Sequence, residues 1–235
     1  MMTSPTLSPE QKNLASKLQA TLVRPNCTRE QLIQHIETTA EYNFNAAMIP
    51  MAYVPLARNI LQGTDVKVAT TICFGTGNET VFAKIALLRE CLALGADEVD
   101  YEPHMTLFLS GEYEAFAEES ALLVQAAGDL TLKAMLELGY IDTNEGKIHA
   151  AQLLESAGVP WIKNSSGGGP VPGIATPEDV RLLRQNLRPE THVKASGGIK
   201  TKEQVLALIA AGAELLGTSA AVAIVEGQAV DHTAY

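Results

Sequence analysis

The chain has 235 residues, 46% of them hydrophobic and 19% charged, which suits one globular domain with a sizeable core. Its formal net charge of −10 argues against nucleic acid or an anionic membrane as partner, since both select basic faces, but leaves a small anionic substrate open. Three widely spaced cysteines, Cys27, Cys73 and Cys91, fit neither a disulfide framework nor a zinc site, and the polar N-terminus carries no apolar signal core, so a reduced cytosolic setting is expected.

In chain order, a short helix around Pro9 to Leu18 leads into a first strand at Ala20 to Val23. A helix follows Thr28, whose capping-box partner is Gln31. Asn45 to Ile49 reads as a strand, Val54 to Leu61 as a helix and Val66 to Cys73 as a strand. The helix from Glu79 to Leu94 stops at Gly95, a good residue for a left-handed C-terminal turn. Glu98 to Tyr101 is a strand, then one long helix spans Leu107 to Ala127. Leu130 to Leu136, a helix from Asn144 to Ala157, and the strand Trp161 to Lys163 come next. Thr176 and Pro177 open a helix to Asn186, His192 to Lys194 is a strand, and a helix from Lys202 to Ala211 stops at Gly212. Leu215 and Leu216 form the last strand, with a final helix from about Ser219. No run is apolar for long enough to span a membrane.

Eight β-then-α units predict an α/β fold, a single (β/α)8 TIM barrel over residues 1–235 with a short N-terminal helix. The rival, an open doubly wound sheet, would carry its glycine-rich turn after the first strand, whereas here such turns follow the sixth, seventh and eighth.

Barrel active sites lie at the C-terminal strand ends, so the polar residues there matter most. They are Asp100, Lys133, Lys163 and Lys194, on the fourth to seventh strands. Lysine is rarely buried without a partner. Three lysines pointing inward with Asp100 would lower one another's affinity for protons, leaving a neutral amine able to attack a carbonyl, with the carboxylate relaying protons. Ser196-Gly197-Gly198 after the seventh strand and Gly217-Thr218-Ser219 after the eighth stand where barrels often hold phosphate on backbone N–H groups.

The segments GADEVDYEP, TLKAMLELG, WIKNSSG, VKASGGIKT and LLGTSAAVAIVEG, in this order, resemble the deoxyribose-phosphate aldolase family, and the likeness extends over about 200 residues through CFGTGNETVFAKIAL and TLVRPNCTREQL. The resemblance implies a class I aldolase, using neither metal nor organic cofactor, that cleaves 2-deoxy-D-ribose 5-phosphate to acetaldehyde and D-glyceraldehyde 3-phosphate. By position it implies Lys163 as the imine-forming residue, Lys194 as its pKa-lowering neighbour, Asp100 as the proton relay and Lys133 as a further active-site lysine. It assigns Gly197, Gly198 and Ser219 to the phosphate loops and Thr21 and Ser166 to the sugar, and a terminal tyrosine, Tyr235, to a tail that can enter the site. The chain departs from the family pattern at Gln19-Ala20, where an acidic residue is usual, at Met48 in place of a cysteine, at Tyr101-Glu102-Pro103-His104 and at Ala220. Those departures bear on the donor, the acceptor and the hold on phosphate. A related Schiff-base aldolase with another aldehyde or ketone pair, or a sugar-phosphate binding protein without catalysis, is the alternative. A homo-oligomer is compatible with the sequence, which does not specify it.

Overall fold

A computed structural model describes residues 5–168 and 173–228 of the chain. Eight parallel strands close into a barrel in the order β1 to β8: β1 Leu18–Thr21, β2 Ala46–Met48, β3 Lys67–Ile72, β4 Glu98–Tyr101, β5 Thr131–Met135, β6 Trp161–Lys163, β7 His192–Ser196 and β8 Leu215–Thr218. Closure is through β1 and β8, with Leu18 beside Leu216 and Ala20 beside Thr218. Every strand edge is therefore paired. Around the barrel run α1 Pro9–Ala15, α2 Arg29–Glu41, α3 Val54–Ile60, α4 Val81–Leu94, α5 Met105–Leu109, α6 Tyr113–Ala127, α7 Asn144–Ser156, α8 Pro177–Asn186, α9 Lys202–Ala211 and α10 Ala221–Glu226. Among the described residues no helix is long and apolar enough to cross a membrane.

Local chemistry sets many of these ends. Thr28 and Gln31 satisfy each other's backbone N–H groups in the expected capping box at α2. Gly95 closes α4 at φ 93° and Gly212 closes α9 at φ 116°, a region that costs other residues a steric penalty. Three expectations need correction. The first strand runs from Leu18 rather than from Ala20, because pairing with both β2 and β8 begins there and ends at Thr21. The long helix expected over Leu107 to Ala127 is two helices, interrupted at Gly111, whose φ of 78° cannot continue a helix. The last two strands run further, to Ser196 and Thr218, and Gly217 is a strand residue beside Gln19 and Ser196 instead of part of a turn.

The main apolar core fills the ring between strands and helices, with Val99, Leu132, Ile162, Val193 and Leu216 facing outward into it. The barrel axis is different. Hydrogen bonds and ion pairs join β1 to β4 and β4 to β7, strands that are not neighbours, so the contacts pass through the interior. Gln19, Glu98, Asp100, Lys133, Lys163 and Lys194 are all buried there. A small separate cluster of Ala46, Met48 and Ala69, with Val23 against it, occupies the β2–β3 side. An axis normally filled by branched aliphatic residues is here largely charged.

Candidate active site

Alternation along β4 aims Glu98 and Asp100 at the axis, and the same alternation brings Lys133, Lys163 and Lys194 to meet them. Asp100 Oδ2 accepts from Lys163 Nζ at 2.8 Å and from Lys194 Nζ at 2.7 Å. Lys133 Nζ lies 3.9 Å from Asp100 Oδ1 and donates to Glu98 Oε2. The four residues expected to gather do so. They are not equivalent: the Lys163 side chain is 7% exposed, against 1% for Lys194 and 0% for Lys133. Lys163, Lys194 and Asp100 line one open cavity, whereas Lys133 lies beneath it.

Two ammonium positions on one carboxylate oxygen make an unbalanced arrangement. Burial on its own would push the Asp100 carboxyl up, but the charges of Lys163, Lys194 and Lys133 outweigh it and hold the group well below the usual carboxylate range. Lys194 is pulled down to about 7, first by burial and against the attraction of Asp100, with Lys163 and Lys133 adding repulsion. A neutral amine is therefore accessible in this cluster near neutral pH. Asp100 Oδ1 is buried and has no hydrogen-bond partner among the described residues.

The expected phosphate and sugar residues surround the same cavity: Thr21, Ser166, Gly197, Gly198, Gly217 and Ser219 all line it. Gly197 has φ 105°, and a Cβ there would stand 1.7 Å from the Gly173 carbonyl oxygen, so backbone approaches backbone. Gly198 has φ 67°. At Gly217 a Cβ would press on Ser196 Cβ at 3.3 Å and come into ordinary contact with Lys194 Cε at 3.5 Å, so the missing side chain eases the packing of β8 against β7. The Ala220 N–H donates to Thr218 Oγ1 at 2.9 Å and is thereby occupied. Tyr235 lies outside the described residues.

Gln19 stands in the sequence only as a departure from the family pattern and Glu98 only as a face-mate of Asp100, and Asn164 and Glu137 carry no sequence signal; in the structure all four organise the site. Gln19 accepts from Lys194 with Oε1 and donates through Nε2 to Glu98 at 2.6 Å and to Asn45 at 2.9 Å. Glu98 completes its set with Lys67 at 2.8 Å. Burial raises the Glu98 carboxyl, yet Lys133 and Lys67 bring it down to about 2. Asn164 pins the segment after β6 to β7, exchanging hydrogen bonds with the Ser196 backbone at 3.0 and 2.8 Å. Glu137, left-handed at φ 47°, accepts from Ser165 Oγ at 3.1 Å and from the Ser166 N–H. Period-two spacing from Asp100 to Glu98 and from Thr21 to Gln19 was the available signal for the first two; a carboxylate folding back on a loop has no such signal.

No protein-family model matches the chain. A deoxyribose-phosphate aldolase of Thermoanaerobacter sp. (strain X514) is 40% identical over 217 residues, covering 91% of this chain and 96% of the relative. One from Brevibacillus brevis (strain 47) is 36% identical over 223 residues, covering 95% of this chain and all of the relative. Among solved structures, a tetrameric deoxyribose phosphate aldolase from Aeropyrum pernix superposes with a TM-score of 0.84 at 27% identity, covering 92% of this chain and 91% of that one.

Proposed function

The chain belongs to the deoxyribose-phosphate aldolase family, and on that premise we propose that it reversibly cleaves 2-deoxy-D-ribose 5-phosphate to acetaldehyde and D-glyceraldehyde 3-phosphate through an imine on Lys163. The observation that carries this reading is the pair Lys163 and Lys194 on one buried carboxylate oxygen at the floor of a cavity, with only Lys163 appreciably open to it. The neutral Lys163 amine adds to C1 of the open sugar and loses water to give an iminium. Electrons of the C2–C3 bond then move into the iminium as the C3 hydroxyl gives up its proton, releasing glyceraldehyde 3-phosphate and leaving an enamine. Protonation of the enamine at C2 and hydrolysis of the imine release acetaldehyde and restore the amine.

Lys194, pulled down to about 7 and joined to the buried Asp100 carboxylate at 2.7 Å, is suited to give and take those protons, with Asp100 holding it in place. Lys133 acts from below, donating to Glu98 and standing 3.9 Å from Asp100. The backbone around Gly197 and Gly198, with Ser219, takes the 5-phosphate, and Thr21 and Ser166 the sugar hydroxyls. Tyr235 serves as a second proton donor from the tail. The three cysteines are free thiols, in keeping with a cytosolic setting, and the tetrameric Aeropyrum relative supports assembly with further copies of the chain.

Borohydride reduction in the presence of acetaldehyde tests the assignment. Mass spectrometry should find an ethyl adduct on Lys163, lost in Lys163→Ala; a label on Lys133 or Lys194 instead would reassign the nucleophile. In the same assay Tyr235→Phe should trap normally while exchange of the aldehyde α-protons with solvent slows. Normal exchange would remove Tyr235 from the site.

A further inference from the structure

The axial charges continue below the cavity, and their count does not balance. Lys133, Lys163 and Lys194 are three buried cation positions, and Glu98 and Asp100 are the two buried carboxylates among them. Lys67 is a fourth cation at the lower end, half exposed, 2.8 Å from Glu98 Oε1. Gln19 completes the ring. Its oxygen faces Lys194 and its nitrogen faces Glu98, so the amide dipole is aligned with both neighbours. One further carboxylate acts on the cluster among the described residues: Glu102, buried two residues beyond Asp100 and coupled to Lys163, which burial and the Glu137 carboxylate hold toward its uncharged, protonated form. β2 is preceded by Asn45, bonded to Gln19, and β8 offers Gly217. On the β6 side Trp161 lies under Lys133, with Nζ 5.7 Å from the ring, and its other neighbour His192 is engaged by Glu214 at 2.7 Å.

We infer that Gln19 sets the proton count of the lysine cluster: by joining Lys194 to Glu98 with a neutral amide, it leaves three buried amines to two carboxylates, so that one amine rests uncharged. Desolvation makes an unpaired buried charge costly, and losing a proton is the cheapest relief. Gln19 is thus a positioning residue. It touches neither the substrate cavity nor the reacting atoms, and it acts through Lys194 and Asp100. Its amide also does what a hydrophobic residue cannot, satisfying a lysine at one end and a carboxylate at the other without supplying charge to either.

The inference rests on the imine reading, and one experiment separates the two. The rate of borohydride trapping of acetaldehyde on Lys163 is followed from pH 5 to pH 10 in the unsubstituted enzyme, in Gln19→Glu and in Lys67→Met. Glu at position 19 supplies the third carboxylate, and an opposite charge at this range favours the ammonium form by about 1 to 3 pKa units. The trapping midpoint should therefore rise by about one unit or more, with trapping at pH 7 about tenfold lower and recovering as pH rises. Lys67→Met removes a cation instead, at a half-exposed position that tolerates substitution, and should move the midpoint the same way by less, because solvent screens it. A plateau lowered at an unmoved midpoint in Gln19→Glu would show that Gln19 only packs, and overturn the inference. Should that variant not fold, Gln19→Asp supplies the same charge on a shorter side chain, and an unmoved midpoint there overturns the inference equally. No label on Lys163 in the unsubstituted enzyme would instead overturn the imine reading itself.

Discussion

At the scale of single residues, the glycines around the cavity divide by mechanism. Gly197 is required by the 1.7 Å approach of Gly173, Gly217 is favoured by the close Ser196 Cβ on β7, and Gly198 by its φ of 67°. Gly198→Asp puts a negative charge beside the proposed phosphate position, at a cost of about 1–2 kcal/mol at 8 Å and an effective dielectric constant of about 20. The kcat/KM for deoxyribose 5-phosphate should fall about tenfold or more, while that for unphosphorylated deoxyribose should hold. Gly198→Asn supplies the control, since asparagine tolerates the same backbone region without the charge. Equal losses with both sugars would place the phosphate elsewhere. The sequence made Gly197 and Gly198 legible because both follow a strand end. It misplaced Gly217, since a glycine that packs closely against the neighbouring strand looks the same as one needed for a turn. The lysines were legible for the opposite reason: a charge in an apolar strand has to be explained by a partner.

At the scale of elements, the segment beyond β4 shows what a departure from the family pattern does. Glu102, two residues after Asp100, is buried, accepts from the Gly75 N–H at 2.6 Å and leaves Oε1 without a hydrogen-bond partner among the described residues. It ties the segment after β3 to β4, and that segment carries Phe74, which lines the cavity and packs against Gly168. A Cβ at Gly77 would fall 2.5 Å from the Pro103 carbonyl, so the two connections are also locked backbone to backbone. Burial, then the Glu137 carboxylate, pushes Glu102 from 4.5 up to about 7. The folded state therefore holds a proton that the unfolded chain releases. Stability from this group is complete below about pH 4.5 and is lost as pH rises through about 7. Glu102→Gln keeps an acceptor for Gly75 and removes the titration. Its melting temperature should match the unsubstituted enzyme at pH 5 and exceed it at pH 8.5; equal values at both would show that Glu102 stays charged. Periodicity and capping residues made the regular elements legible. The break between α5 and α6 was not, because the apolar pattern continues across Gly111 and only its left-handed backbone ends the helix.

At the scale of the whole molecule, structure and chemistry are concentric. The apolar core forms a ring outside the strands, and the ionisable groups lie along the axis inside them. Neighbouring residues of β6 face opposite ways and allow a direct comparison. Ile162 is fully buried in the ring, and Ile162→Ala should cost about 2–5 kcal/mol while the folded fraction still traps acetaldehyde on Lys163. Lys163→Met should abolish trapping at no loss of melting temperature, because Lys194 keeps Asp100 Oδ2 paired and no buried carboxylate is left alone. A large loss of stability in Lys163→Met would mean that the axial charges hold the barrel together. The eight-unit count made the barrel legible in the sequence, and strand alternation predicted which lysines could meet. The axial ring through Gln19 and Glu98 was hidden, because it joins β1 to β4, a proximity that only closure of the barrel creates.

The single carboxylate oxygen shared by Lys163 and Lys194 has a consequence for how such a protein can change over generations. Either lysine can be lost while the other keeps Asp100 paired, so an inactive descendant remains a folded barrel with its cavity intact. Such a chain is open to recruitment as a sugar-phosphate receptor, and regaining the missing lysine would return it to catalysis. Loss of Asp100 has no such refuge, since it strands two buried amines at once. Among descendants of this protein, lysine-deficient barrels should therefore survive far more often than aspartate-deficient ones.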